Sequence, residues 1–259
     1  MLEFSHVNFG YGAPLLQDIN FSFPGGKITT VIGPNGCGKS TLLKLAAGLL
    51  HPQSGSIYLN GQNIRRFRAK EYARQVAILL QSGRIPQVSV NSLVEHGRFP
   101  YLSYHRRHTA NDRAIIENAL ETAGVAHLRH KNLNQLSGGE RQRAFIAMAL
   151  AQDTDLLMLD EPTTYLDINH QLEIMNLVQR LNTQGKTIIM VLHDLNLALH
   201  NSHHLLLMEK GKIITAGTAE EVLATGEIDK VFNIHTTPVP LEGKKYFIFR
   251  PAAKGISTK

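Results

Sequence analysis

Gly33-Pro34-Asn35-Gly36-Cys37-Gly38-Lys39-Ser40 is the stretch on which the fold turns. It follows a β-type run, Lys27–Ile32, and opens a helical run, Lys39–Leu50. A strand, a glycine-rich turn ending in Gly-Lys-Ser, and a helix together make the phosphate-binding pattern G-x-x-x-x-G-K-[ST]. Glycines let successive backbone N–H groups turn toward phosphate oxygens with no Cβ in the way. The helix start adds its positive end. Lys39 adds a full charge, worth about 4 kcal/mol against a phosphate at about 4 Å and an effective dielectric near 20, before desolvation. Ser40 offers a hydroxyl to Mg²⁺. Gly33, Pro34, Asn35, Gly36, Cys37, Gly38, Lys39, Ser40 and the adjoining Thr41 are therefore the expected nucleoside-triphosphate contacts.

Outward from this loop, Ala77–Leu80, Asp155–Leu159 and Thr187–Leu192 are apolar runs without alternation, the mark of strands buried on both faces. Helical patterns separate the last three runs, which predicts a mostly parallel α/β sheet. Leu2–Tyr11, Ile19–Phe23 and Ser56–Leu59 are short strands around Gly/Pro turns and predict a small flanking antiparallel sheet. Strand signals then stop between about 82 and 152. Leu93–Glu95, Asp112–Gly124 and Glu140–Gln152 read as helices, with a basic link at Tyr104–His108. The expected organisation is one unit over 1–259, with an α/β core at about 1–84 and 153–235. A helical subdomain fills about 85–152, and a weakly patterned tail from about 236 holds one possible strand, Lys245–Phe249.

A metal-binding acid belongs at the end of a neighbouring strand. Leu156–Leu159 supplies it by running into Asp160-Glu161. Asp160 is expected to hold Mg²⁺ through its water shell, since magnesium takes few protein ligands. Glu161 is expected to polarise an attacking water, a general-base role worth about 10² to 10⁴ in rate. Away from a phosphate loop, the same pair would read as a helix start. Ser137-Gly138-Gly139-Glu140 admits two readings. It is a second anion-binding helix start, or a capping box between Ser137 and Glu140.

Composition sets outer limits. Hydrophobic residues at 43% and charged residues at 19% suit a folded chain with a sizeable core. The longest apolar run, Ala144–Ala151, falls far short of the roughly twenty residues of a membrane helix, so no span is expected. Met1–His6 has neither a basic leader nor an apolar stretch, so no secretory signal is expected. One cysteine, Cys37, cannot form an internal disulfide and fits a reducing compartment. Its place near a helix start suggests a lowered thiol pKa, with alkylation blocking nucleotide binding. Lys plus Arg at 27 against Asp plus Glu at 21 gives +6, which suits an anionic ligand without choosing one. Thirteen histidines, among them His203-His204, His105 and His108, have no cysteine or carboxylate partners at ligand-like spacing. Arg65–Lys70 reads as a solvated helix face.

Leu136-Ser137-Gly138-Gly139-Glu140, lying shortly before an apolar-Asp-Glu strand, resembles the signature of ATP-binding cassette (ABC) proteins. Gln81, at the end of Ala77–Leu80, is similar to that family's Q-loop glutamine. Tyr165-Leu166-Asp167 resembles its D-loop, His193 its switch histidine, and Tyr11 the aromatic that stacks on adenine. The resemblance runs from about residue 2 to about 232. It implies a P-loop NTPase fold, ATP with Mg²⁺, and cassettes working in pairs. Lys39, Ser40, Gln81, Asp160, Glu161 and His193 would then act in cis, with Ser40, Gln81 and Asp160 about the metal. Ser137, Gly138 and Gly139 would reach the γ-phosphate in trans. His193 would orient the γ-phosphate and water, and Asp167 would link the two sites. Glu140 stands where many members have Gln, and Tyr165 where many have a small residue.

Gly33–Leu43, Glu95–Tyr101, Thr163–Ile168 and His193–Ala198 look like the iron–siderophore, haem and cobalamin importer group, nearest the ferric dicitrate and ferric enterobactin type. That likeness implies an ATPase subunit peripheral to the cytoplasmic face of the inner membrane. Its partners would be integral membrane permease subunits and, indirectly, a substrate-binding protein, with no nucleic acid. An exporter ATPase and a soluble ABC protein acting on ribosomes or DNA are the other readings. The last usually carries a second cassette or a long coiled coil, and neither is evident in this sequence.

Overall fold

Two hydrophobic cores, one on each face of a central sheet, organise the computed structural model, which describes residues 1–81, 85–102, 108–241 and 244–252. Most of the expected basic link, Tyr104–Arg107, lies outside the described residues and takes His105 with it.

β1 (Leu2–Tyr11) and β2 (Ala13–Phe23) form an antiparallel hairpin, closed at Gly12 with φ +94. β2 begins well before the expected Ile19. β3 (Ile28–Ile32), buried at every position, enters the phosphate loop, and α1 (Lys39–Ala46) leaves it. This helix ends sooner than its apolar pattern suggests, because Gly48 takes a left-handed turn that releases the chain. β4 (Ser54–Leu59) and β5 (Gln62–Asn63) complete a four-stranded sheet in the order β2-β1-β4-β5. The Arg65–Lys70 stretch is not one helix face. It splits between a 3₁₀ turn at Ile64–Arg66 and the start of α2 (Ala69–Tyr72).

β6 (Val76–Leu79) precedes the helical region of α3 (Val90–Glu95), α4 (Ala110–Thr122) and α5 (Gly138–Ala151). Alternation then resumes with β7 (Leu156–Asp160), α6 (Ile168–Thr183), β8 (Thr187–Val191) and α7 (Leu195–Asn201). β9 (His204–Glu209) and β10 (Lys212–Gly217) follow, then α8 (Ala219–Ala224) and α9 (Glu227–Phe232). The expected tail strand is real and longer, β12 (Lys244–Pro251), and it pairs with β11 (Ile234–Leu241) in a separate hairpin. Pro238 and Pro240 break the apolar pattern of β11, and a two-stranded hairpin tolerates them because each strand has a free edge.

The core sheet runs β10-β9-β3-β8-β7-β6, parallel throughout except for the β9/β10 pair. Alternate residues of its strands feed opposite cores. Leu157, Leu159, Ile188 and Met190 pack with the helical side, whereas Leu156, Met158, Ile189 and Val191 pack with α1 and the antiparallel sheet. Both faces are therefore apolar, which is why these strands read as unbroken hydrophobic runs. No described helix is long and apolar enough to cross a membrane.

A buried ion pair pins the helical region. Arg98, 2% exposed, donates from Nε to Asp112 Oδ1 at 2.9 Å and from Nη1 to the Ala151 carbonyl at 2.9 Å. Its guanidinium lies 3.8 Å from the Tyr101 ring centroid. Gly97 beside it is obligatory, since a Cβ there would sit 2.2 Å from the Met148 carbonyl oxygen on α5. Burial pushes the Asp112 carboxyl up, but bonds from the Thr109 hydroxyl and amide and from Arg98 outweigh it and hold its pKa at about 2.

Candidate functional site

Parallel pairing of β3, β8 and β7 brings their carboxyl ends to one edge, the place where open α/β sheets bind ligands. From that edge project the phosphate loop after β3, Asp160-Glu161 at the end of β7, and His193 just past β8. Gly36, Gly38, Lys39, Ser40, Glu161 and His193 line one cleft there, joined by Leu15 from β2. Leu15 carried no sequence signal as a site residue, because its place depends on how the antiparallel sheet folds over the loop.

The loop's shape depends on glycine at particular points. Gly33 has φ +153, and a Cβ on it would lie 2.2 Å from the Met208 carbonyl oxygen. Gly38 has φ +106, with Leu16 against it. Lys39 is buried, its ammonium donating to the carbonyls of Gly33 at 2.8 Å and Pro34 at 3.0 Å. That arrangement holds the loop curved around the place where phosphates would sit. Ser40 Oγ donates to Asp160 Oδ1 at 3.0 Å. Asp160 is 4% exposed, and burial raises its carboxyl pKa, with the Ser40 bond opposing and neighbouring Glu161 reinforcing the rise.

Glu161 gathers the rest. Gln81 Nε2 donates to its Oε2 at 3.1 Å across 80 residues of sequence, and Thr164 Oγ1 donates to the same oxygen at 3.1 Å. His193 Nε2 meets its other oxygen, Oε1. The Glu161 backbone is left-handed, φ +54, a costly conformation for a residue with a Cβ. Its amide bonds to the Val191 carbonyl at 3.2 Å and so fixes that turn to β8. Thr164 was missed as a site residue. Its signal was the three-residue spacing from Glu161, which a turn converts into contact.

The ABC transporter family matches residues 16–164. The chain is an ABC transporter ATP-binding cassette. It is 49% identical over 236 residues to the iron(3+)-hydroxamate import ATP-binding protein FhuC of Bacillus subtilis, covering 90% of this chain and 88% of that protein. Among solved structures it resembles a chain of an inward-facing transporter described as metal-chelate type, with 27% identity, a TM-score of 0.84 and 98% of each chain covered. It also resembles the dimeric bacterial cassette MJ0796, with 25% identity, a TM-score of 0.75, and 85% of this chain and 99% of that one covered. The fold and family expected from the motifs are thereby established, and the cassette is an ABC-type transport ATPase.

Other expected residues of the cassette are not among those lining this cleft. Tyr11, at the end of β1, is 63% exposed and packs edge-on against Phe9 with ring centroids 4.9 Å apart. It does not line the cleft, whereas Leu15 does. Ser137 caps α5, accepting from the Glu140 amide at 3.2 Å, while the Glu140 carboxylate accepts from the Ser137 amide at 2.8 Å. The capping box is thus formed, and the Ser137 amide and side-chain hydroxyl together hold the Glu140 carboxyl below its usual range. Ser137, Gly138 and Gly139 are not among the residues lining the Lys39 cleft. Asp167 caps α6, and bonds from His170 lower its carboxyl pKa.

The expectation of a lowered Cys37 thiol pKa is overturned. Cys37 is 3% exposed, packed inward against Gly33, and burial raises its thiol despite the nearby Lys39 charge. Alkylation of the folded cassette by a thiol reagent at neutral pH is accordingly expected to be many-fold slower than alkylation in denaturant. Equal rates in the two states would show the thiol to be exposed.

Proposed function

We propose that the cassette is the ATP-hydrolysing subunit of an importer that takes up a ferric siderophore or similar metal chelate. It would work in a pair at the cytoplasmic face of the inner membrane. Integral permease subunits would dock on the helical region, about 85–152, and a substrate-binding protein would deliver the chelate from the other side. One observation carries the enzymatic part: Gln81, Thr164 and His193 converge on the Glu161 carboxylate, in the cleft that holds Lys39 and Ser40. A carboxylate so held can accept a proton from an attacking water, and His193 is placed to order the same water and the γ-phosphate. Hydrolysis of this kind depends on positioning and charge stabilisation more than on covalent chemistry.

Ser40 and Asp160 suit Mg²⁺, since both offer hard oxygen atoms, already 3.0 Å apart, with the carboxylate buried where a counter-charge is most valuable. Bound there, Mg²⁺ would neutralise developing phosphate charge. Gln81 presents its amide nitrogen to Glu161, so its part in metal binding would run through its other amide atom. Ser137–Gly139 would meet the partner cassette's phosphates. This is supported by their absence from the lining of their own chain's cleft and by the dimeric form of the similar cassette MJ0796.

Similarity to an iron(3+)-hydroxamate importer protein and to a metal-chelate type transporter supports the ferric reading. The test is reconstitution of the cassette with its copurifying permease in liposomes, with ATPase activity measured as loaded binding proteins are added. Stimulation by ferric hydroxamate or catecholate complexes is expected. Stimulation by haem or cobalamin alone would move the assignment to those chelates, and none by any loaded protein would remove the import reading.

A further inference from the structure

Asp167 uses both carboxylate oxygens on one neighbour. Oδ1 accepts from the His170 amide at 2.9 Å, and Oδ2 lies 2.8 Å from His170 Nδ1. A carboxylate only accepts, so Nδ1 carries the proton and donates. The imidazole also covers Gly139 in the first turn of α5. A Cβ built on Gly139 would sit 2.0 Å from ring Cδ2 and 2.4 Å from Cγ. Glycine is a poorer helix former than alanine, and here the ring occupies the space a Cβ would need. Farther along the same two helices, Arg143 on α5 pairs with Glu173 on α6. The starts of α5 and α6 are therefore joined at His170 and again at this ion pair.

We propose that His170 is a positioning residue that locks the Ser137–Gly139 loop to Asp167, so that both meet the opposite cassette as one rigid unit. The proposal rests on the paired reading given above. Two loops ordered separately at the moment of pairing would each lose conformational freedom, whereas a unit ordered beforehand avoids that cost. The mechanism assigned to Glu161 and His193 has no other use for an imidazole at this place, since His170 does not line their cleft.

Three measurements on purified protein test it: nucleotide affinity of the isolated cassette, kcat, and ATP-driven dimerisation in a Glu161→Gln background. His170→Ala is expected to leave nucleotide affinity unchanged, lower kcat about five- to tenfold, and raise the ATP concentration needed for dimerisation. His170→Asn, which keeps a donor, is expected to recover most of the loss, a rescue that mere packing damage would not show. Combined with Asp167→Asn, His170→Ala should add little, because groups acting as a unit are not additive. Native kcat and dimerisation in His170→Ala, multiplicative losses in the double variant, or an equal fall in nucleotide affinity would each overturn the proposal. If Glu161→Gln with His170 intact fails to dimerise in ATP, the paired reading itself falls. If it dimerises and His170→Ala does so equally well, only the role of His170 is lost.

Discussion

Glu161→Gln is expected to lower ATP hydrolysis by about 10² to 10⁴ while leaving ATP binding intact. The substituted amide keeps the length and shape of the carboxylate, and its carbonyl can still accept from Thr164 and Gln81. What it lacks is the ability to take a proton from water. Lys39, Ser40 and the loop glycines, which are proposed to supply the binding, are untouched. With binding retained and turnover blocked, ATP should hold cassettes together, so gel filtration with light scattering should show an ATP-dependent dimer. Retained turnover in this variant would remove Glu161 as the base and shift attention to His193.

Arg98→Ala is expected to destabilise the protein by about 3–5 kcal/mol, the typical cost of leaving one partner of a buried ion pair uncompensated. The guanidinium ties the 3₁₀ turn at His96–Tyr101 to Asp112 on α4 and to the end of α5, so the helical region should loosen first. Urea unfolding measures the total, and hydrogen exchange shows where the protection is lost. Arg98→Ala with Asp112→Asn should cost less than the sum of the two, since the second change removes the stranded charge. A loss under about 1 kcal/mol would mean that water or a neighbour replaces the pair.

The same network sets an acid limit. Asp112 has a folded pKa of about 2 against an ordinary value of 3.8, so its depressed pKa contributes stability above about pH 4. That contribution fades as pH falls toward 2. The native protein should therefore lose stability over this window, and Asp112→Asn should flatten that part of the profile.

Much of the site was legible because its chemistry is local in sequence. Eight consecutive residues carry the phosphate loop, and two carry Asp160-Glu161 at the end of a strand. Buried parallel strands announced themselves as apolar runs, since both of their faces meet a core. Gln81 and His193 were recognisable by their order along the chain and their places at strand ends. Ser137 fitted two readings, and of these the capping box is the one its own chain forms.

Contacts that join distant segments were decided by the tertiary structure. Gln81 reaches Glu161 because β6 and β7 pair in parallel and end on the same edge. No periodicity states which strands are neighbours. Leu15 enters the cleft, and Tyr11 stays outside it, through the turn of the β1–β2 hairpin. Cys37 shows the limit most plainly. Its position in the loop suggested a helix start that would favour a thiolate, yet packing turned the side chain away from solvent, and desolvation outweighed the nearby charge. Residue order along the chain was enough to name the groups proposed to meet a nucleotide. Only the folded chain decided which of them touch, because pairing and burial depend on surfaces that meet from far apart along the chain.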